Sequence, residues 1–259
     1  MKKWHVSAAI ITRCFFVTML SLSAFESVAK SYYFVGSHFP AILEQDQHGS
    51  PTGLGADIVY EIGKRLGHTI VIDIMPLKRA LKMVEQGDAD AIIGPYKSFQ
   101  RNQYMLFSAL PFYEDPIVFY TKPNNEVTWR GNFASLKKDA IGVIRGWDYG
   151  VEFKRHESSL LLSEVANVRA SFLQLMYDRV DLILTHPRAA RPVIESLGIA
   201  DKVIILSPIL TVNQGYFGFT KQRDLAQFID EFNAEFQKML LNGEIVKLNN
   251  KYGLSFVAH

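Results

Sequence analysis

Residues 180–195, VDLILTHPRAARPVIE, decide how the chain is read. The run Leu182-Ile183-Leu184 lies between Asp181 and the break Thr185-His186-Pro187, the pattern of a short strand buried on both faces. Ala189, Pro192, Val193 and Leu197 then recur at roughly helical spacing until Gly198 stops them. Strand, turn, helix is the repeating unit of an open α/β sheet, where ligands bind outside the carboxyl ends of the strands. His186 stands at that edge, so it is either a ligand residue or a turn histidine.

The same unit recurs on both sides of this stretch. YYFVGSHFP (32–40) reads as a strand ending at Gly36, and QDQHGSPTG (45–53) as a polar turn cluster. ADIVYEIGKRLGH follows as a helix with Ile58, Ile62 and Leu66 on one face and Asp57 in its first turn. TIVIDIM is a strand, LKRALKMVEQG a helix stopped by Gly87, and DAIIG a strand again. The strand PIVFYTKPNN (116–125) runs into a proline-containing break, the best candidate for a domain crossing.

The alternation restarts beyond that break. AIGVIRG is a strand and turn, residues 150 to 156 a helix, VRASFLQLMYDR a helix, and KVIILSP a strand. NQGYFGFTK is a further strand, returning the chain. Leu225, Phe228, Ile229, Phe232, Phe236, Met239 and Leu240 then mark a long amphipathic helix ended by Asn242-Gly243. Two α/β lobes joined by two extended crossings predict a cleft with a hinge.

Composition narrows the function. The chain opens MKKWHVSAAIITRCFFVTMLSLSAFESVAKS, with a basic start, an apolar stretch from Cys14 to Phe25, and Ser27-Val28-Ala29 fitting a small-x-small cleavage rule. Twelve apolar residues are too few to span a hydrocarbon layer of ~30 Å, so residues 1–29 read as a cleavable signal peptide and the mature chain as exported to the periplasm. The single cysteine, Cys14, falls within that segment and no small-residue lipobox precedes it, which predicts neither a disulfide nor a lipid anchor. Cleavage takes three of the 28 basic residues and one of the 26 acids, leaving 25 of each. A net charge of zero offers no field for nucleic acid.

The order of motifs resembles the extracellular solute-binding proteins of the polar amino-acid type, the two-lobed receptors of ABC importers with the type II periplasmic-binding-protein fold. HFPAILEQDQHGSPTGLGADIVYEIGKRLG is similar to the family's opening, although Leu54 and Gly55 stand where Phe-Asp is usual. VEQGDADAIIG, QRNQYMLFSALPFYED, IGVIRGWDYG and LNGEIVKLNNKYG match later segments in order. The resemblance implies two mostly parallel sheets flanked by helices and linked by a two-strand hinge. It divides the mature chain into lobe 1 (30–119 and 216–259) around lobe 2 (120–215).

Carried over residue by residue, the resemblance makes Phe39 the aromatic that covers the ligand and Arg101 the clamp for its carboxylate. Arginine suits that task because its planar fork donates two parallel hydrogen bonds to a carboxylate. Between the Asp-Ala strand and Arg101 the family has a Ser/Thr-rich run, whereas GPYKSFQR places Pro95, Tyr96 and Lys97 there. Pro95 lacks an N–H, so Ser98 and the Tyr96 hydroxyl are the expected replacements. Gly146, Trp147 and Asp148 stand at the family's Gly-Thr-Thr turn, with Gly146 in an anion-cradling turn, Trp147 as a stacking wall and Asp148 as a helix cap.

His186 occupies the position where receptors of α-amino acids carry an aspartate for the ligand ammonium. A neutral imidazole offers one acceptor and no countercharge, so a standard α-amino acid is disfavoured, and His186→Asp is expected to create some affinity for one. The leading expectation is a monomeric receptor for a small polar or anionic organic solute, partnered by an ABC permease or a membrane sensor. The alternative is an enzyme on the same fold, similar to cyclohexadienyl dehydratase, with His186, Asp148 or Glu152 as acid or base. A third is a scaffold acting through protein contacts alone. No metal, cofactor or phosphate-loop motif is present, since GLGADI lacks a third glycine.

Overall fold

The structure, a computed structural model, describes residues 29–254; the expected signal peptide lies outside them apart from Ala29. In the first lobe, β1 (Ser31–Gly36) runs parallel to β4 (Thr69–Ile74) on one side and to β5 (Ala91–Tyr96) on the other. Helices α1 (Leu54–Leu66) and α2 (Leu77–Gln86) connect them. Gly87 ends α2 in the left-handed region at φ 79°, where a residue without a side chain is least strained. The polar cluster of 45–53 forms a hairpin of two short strands, β2 (Glu44–Gln45) and β3 (Pro51–Thr52).

After the one-turn helix α3 (Phe99–Asn102) and the short β6 (Met105–Phe107), the long strand β7 (Tyr113–Thr121) leaves this lobe. In the second lobe, β8 (Ala140–Ile144), β9 (Leu161–Val165) and β10 (Leu182–Thr185) are parallel. Helices α4 (Val151–His156), α5 (Val168–Met176) and α6 (Pro187–Leu197) lie between and after them. KVIILSP forms only a two-residue strand, β11 (Ile204–Ile205), on the edge of β7. The strand β12 (Thr211–Thr220) returns the chain to the first lobe, and α7 (Ala226–Leu241) and α8 (Glu244–Lys251) complete it.

The crossing is visible in the register. β7 pairs antiparallel with β12 from Tyr113 to Ile117, and with β10 from Val118 to Tyr120. β12 in turn pairs with β7 through Thr211–Gly215 and with β5 through Gly215–Phe219. β7 therefore belongs to the first sheet at one end and to the second at the other, with β12 alongside it on the first-sheet side.

Apolar side chains cover both faces of each half. In lobe 1 one cluster holds Phe34, Phe217, Phe219, Phe232 and Phe236, and another holds Val35, Val84, Ile92 and Met105. In lobe 2 Phe119, Trp129 and Leu184 pack on one side, and Tyr120, Phe172 and Ile183 on the other. The α7 face expected from periodicity is the buried one: Phe228, Ile229, Phe232, Phe236 and Met239. Four clusters on two sheets fix two rigid units, with the crossing strands as the segments that join them.

Candidate functional site

The carboxyl ends of β1, β5, β8 and β10 meet where the lobes face each other. His186 is the N-cap of α6, with Pro187 at the first helical position, where its missing N–H costs nothing. Its ring is fully buried, stacked on Trp147 with centroids 5.1 Å apart and 20° between planes, and edge-on to Phe39 at 5.1 Å. Phe39 comes from lobe 1 and the other two from lobe 2, so this aromatic contact closes the cleft.

His186 Nδ1 lies 3.3 Å from the Ala189 backbone N–H and 3.2 Å from Asp115 Oδ1. It can accept from the first or donate to the second, but one atom cannot do both at once. Burial lowers the imidazole from the ordinary histidine value, against the opposing pull of Asp115. The neutral ring is thus a packing and capping group beside a carboxylate. An aspartate at this place would set a second carboxylate against Asp115, so His186→Asp is expected to destabilise the site.

Asp115, on β7, is the centre of the arrangement. Tyr96 donates its hydroxyl to Oδ2 at 2.7 Å, and the Arg188 guanidinium forms a two-pronged pair with both carboxylate oxygens, Nε to Oδ1 at 3.1 Å and Nη2 to Oδ2. Burial alone would raise this carboxyl, but the His186 hydrogen bond and the charge and hydrogen bonds of Arg188 hold it below the usual carboxylate range. With His186 neutral, Arg188 supplies the permanent countercharge. Burial and the Asp115 charge push the Tyr96 and Tyr113 phenols up, so both remain donors, Tyr113 to the Gly94 carbonyl at 2.6 Å. The Tyr96 hydroxyl, expected to face the ligand, is spent on Asp115.

Arg101 reaches into the cleft from α3, whose cap is Ser98: its Oγ accepts from the Arg101 N–H at 3.3 Å. The Arg101 guanidinium donates to the carbonyl of Tyr96 at 2.7 Å and, across the cleft, to that of Gly146 at 3.1 Å. It is 7% exposed, and among the described residues no carboxylate pairs with it. Gly146 holds φ 81°, which turns its carbonyl toward that guanidinium rather than presenting an N–H cradle.

Asp148 does not cap α4, whose N-cap is Gly150; its Oδ1 accepts from the Gly150 N–H at 2.8 Å, two residues short of the expected helix start. Lys97 lies over the Tyr216 ring at 3.8 Å. The space between Phe39, Tyr96, Arg101 and Trp147 measures about 30 Å³, too small as it stands for an organic solute. Two clefts flank it. One of about 800 Å³ is lined by Arg101, Gly146, Asp148 and Asn213. The other, of about 780 Å³, is lined by His38, Lys78, Arg145 and Arg169 with no acidic residue.

The sequence model of one family, bacterial extracellular solute-binding proteins, family 3, matches residues 34–255. The chain belongs to that family. Its role is to bind a solute, and its fold is the two-lobed type II form. The chain is similar to the L-cystine-binding protein TcyK of Bacillus subtilis (strain 168), at 24% identity over 229 residues that span 84% of this chain and 81% of that protein. It is 22% identical over 219 residues to an arginine-binding periplasmic protein of Mannheimia haemolytica, covering 83% and 87% of the two chains. Among solved structures, a mutant of the arginine-binding protein of T. maritima superposes with TM-score 0.72 at 19% identity, covering 86% of this chain and 94% of that one. A histidine kinase sensor domain superposes with TM-score 0.75 at 12% identity, over 86% and 95%. Both structural likenesses concern the fold alone.

Of the eight residues singled out from sequence, Phe39, Tyr96, Ser98, Arg101, Gly146, Trp147, Asp148 and His186 all line or adjoin this cleft. Sequence reasoning missed Asp115, Arg188 and Tyr113. A signal existed for two of them: an aspartate inside the apolar LPFYEDPIVFY, and an arginine in the first turn of α6, where the helix dipole disfavours a cation.

Proposed function

We propose that this protein captures a small anionic organic solute, a carboxylate above all, between its lobes, with Arg101 as the clamp. The observation that carries this reading is the Arg101 guanidinium, buried, bonded only to carbonyl oxygens, and reaching from lobe 1 to Gly146 of lobe 2. A buried cation without a countercharge is costly, and a ligand anion supplies what the chain does not. In the neighbouring cleft, whose lining is mostly apolar, the charged residues are Lys78, Arg145 and Arg169, which favours the same sign.

Phe39 and Trp147 form the apolar walls, and Ser98 and Asp148 adjust the polar rim. Closure is a population shift driven by contacts that exist only when both lobes touch the solute. The hinge lies where β7 and β12 pair, at Tyr113–Ile117 and Thr211–Gly215, between lobe 1 at 30–119 and 216–259 and lobe 2 at 120–215. The mature chain is exported without a lipid anchor, acts as a monomer, binds no nucleic acid, and hands its solute to an ABC permease or signals through a membrane sensor. The relatives named for cystine and arginine support the transport setting.

Native mass spectrometry of purified protein identifies a co-purified acid. A thermal-shift titration of wild type and Arg101→Ala with that acid then tests the clamp, since a ligand at a hundred times its Kd stabilises by about 2.7 kcal/mol. Equal affinity in the two proteins overturns the assignment of Arg101. Turnover of prephenate or arogenate, followed by ultraviolet absorbance, overturns the receptor reading itself.

A further inference from the structure

Arg188 has no role in the reading above, yet its side chain has the surroundings of a bound ligand. The guanidinium carbon sits 4.2 Å from the centre of the Phe39 ring and 5.0 Å from that of Tyr113. Nε and Nη2 grip the Asp115 carboxylate, and Nη1 donates to the Pro40 carbonyl of lobe 1. Every nitrogen of the fork has a partner, and the side chain is only 13% exposed. Aromatic faces, a bidentate carboxylate and a convergent carbonyl are the chemistry by which a protein recognises a guanidinium or ammonium ion.

Three facts separate this from an ordinary buried ion pair. The arginine stands in the first turn of α6, at the sheet edge where ligands bind, where a positive charge gains nothing from the helix dipole. Its partners come from two places, Phe39 and Pro40 after β1 and Tyr113 and Asp115 on the crossing strand, while the arginine itself stands on lobe 2. Phe39, finally, is shared, since it faces Arg188, Trp147 and His186 at once. The box therefore lies on the lobe 1 side of the interlobe cleft, and Arg188 enters it from lobe 2.

We propose that Asp115, Phe39, Tyr113 and the Pro40 carbonyl form a cation-recognition subsite of the cleft, and that the chain fills this subsite permanently with its own Arg188. The inference deepens the anion reading: with the cation place taken, the solute needs an acidic group for Arg101 and gains nothing from an amino or guanidino group. Exclusion of amino acids then rests on an occupied subsite rather than on the absence of a carboxylate. Arg188 also ties lobe 2 to Pro40 of lobe 1, so it holds the lobes together before any solute arrives.

The test is to remove the resident cation and offer a free one. Arg188→Ala, with the far-UV circular dichroism of wild type, is titrated with methylguanidinium chloride by calorimetry, with equal sodium chloride as the blank. Saturable binding by the variant and none by wild type is expected. Methylammonium, a point charge without the fork, should bind more weakly, and Asp115→Asn in the Arg188→Ala background should weaken methylguanidinium about tenfold or more, the loss of a charged, hydrogen-bonded pair.

No saturable binding by folded Arg188→Ala, or equal binding by wild type, overturns the subsite. Should Arg188→Ala not fold by itself, it is diluted from urea into methylguanidinium or sodium chloride: folding restored by the guanidinium alone supports the subsite, and folding restored by neither overturns it. Because no step uses Arg101 or the natural solute, failure here is distinct from failure of the anion reading. That reading stands or falls with Arg101→Ala.

Discussion

Arg101 and Arg188 enter the cleft from opposite lobes, and both reach a backbone carbonyl on the other side. Around Arg188 the charges cancel, because Asp115 is held ionised against it and Tyr96 completes the carboxylate's bonds. Around Arg101 they do not, because Tyr96 and Gly146 offer only carbonyl dipoles. The same residue type is thus self-sufficient in one half of the cleft and incomplete in the other. A binding protein gains selectivity from the incomplete half, where the missing charge must come from the solute.

The comparison breaks most visibly at Asp115. Asp115→Ala leaves Arg188 buried without its carboxylate, and removing one partner of a buried pair typically costs about 3–5 kcal/mol. Urea unfolding should show that loss at neutral pH. A loss below about 1 kcal/mol would mean that Arg188 escapes to water and that its half of the cleft is not self-sufficient after all.

Arg101→Ala should affect binding first. If the solute anion bonds to this guanidinium, its removal weakens affinity by about 1.5–3 kcal/mol, tenfold to a hundredfold. The fold should change little, since the two bonds lost go to carbonyl oxygens that water can reach once the lobes part. An Arg101→Ala protein destabilised as severely as Asp115→Ala would place both arginines in the same structural class and remove the contrast.

Gly215→Ala sharpens the self-sufficient half. A Cβ at this position would lie 1.9 Å from a Tyr113 ring atom, so the tyrosine that walls Arg188 must shift or the two crossing strands must separate. Overpacking of this kind costs about 1–3 kcal/mol. Calorimetric melting should report it, and unchanged melting would show that the Tyr113 ring moves freely.

Much of the fold was legible because the two lobes repeat one local pattern. The strands around Phe34, Ile92, Ile141 and Ile183 are apolar runs, and α7 carries a regular apolar stripe. The start of β7 was not legible, because Glu114, Asp115 and Pro116 look like a break; the strand tolerates them because β12 lies alongside and the Asp115 side chain turns into the cleft. KVIILSP reads as a strand, but only two of its residues pair, on an exposed edge. At the site, Phe39, Arg101, Trp147 and His186 were found through position in known motifs. Asp115 and Arg188 are 73 residues apart, and no local period connects them. Their pairing is a product of tertiary closure, which is why the carboxylate beside His186 was not expected on the crossing strand.

The smallest effect separates the histidine from both arginines, whose charge does not change near neutral pH. Burial keeps the folded His186 imidazole below its ordinary value near 6.5. The unfolded chain therefore takes up a proton at a pH where the folded one does not, and stability present above about pH 6.5 declines as pH falls. Asp115 has the same sign but a lower window, since its folded value is depressed and its contribution is lost only below the unfolded carboxylate value near 3.9. Between pH 7.5 and 5.5 the histidine contribution alone should appear, with a slope of at most about 1.4 kcal/mol per pH unit. His186→Gln should flatten that slope in urea unfolding while leaving the acid limb below pH ~4 in place. Equal slopes in the two proteins would mean that the imidazole takes up its proton alike in the folded and unfolded chain, and stability that rose as pH fell would mean that it is charged against Asp115, with two cations on one carboxylate rather than one.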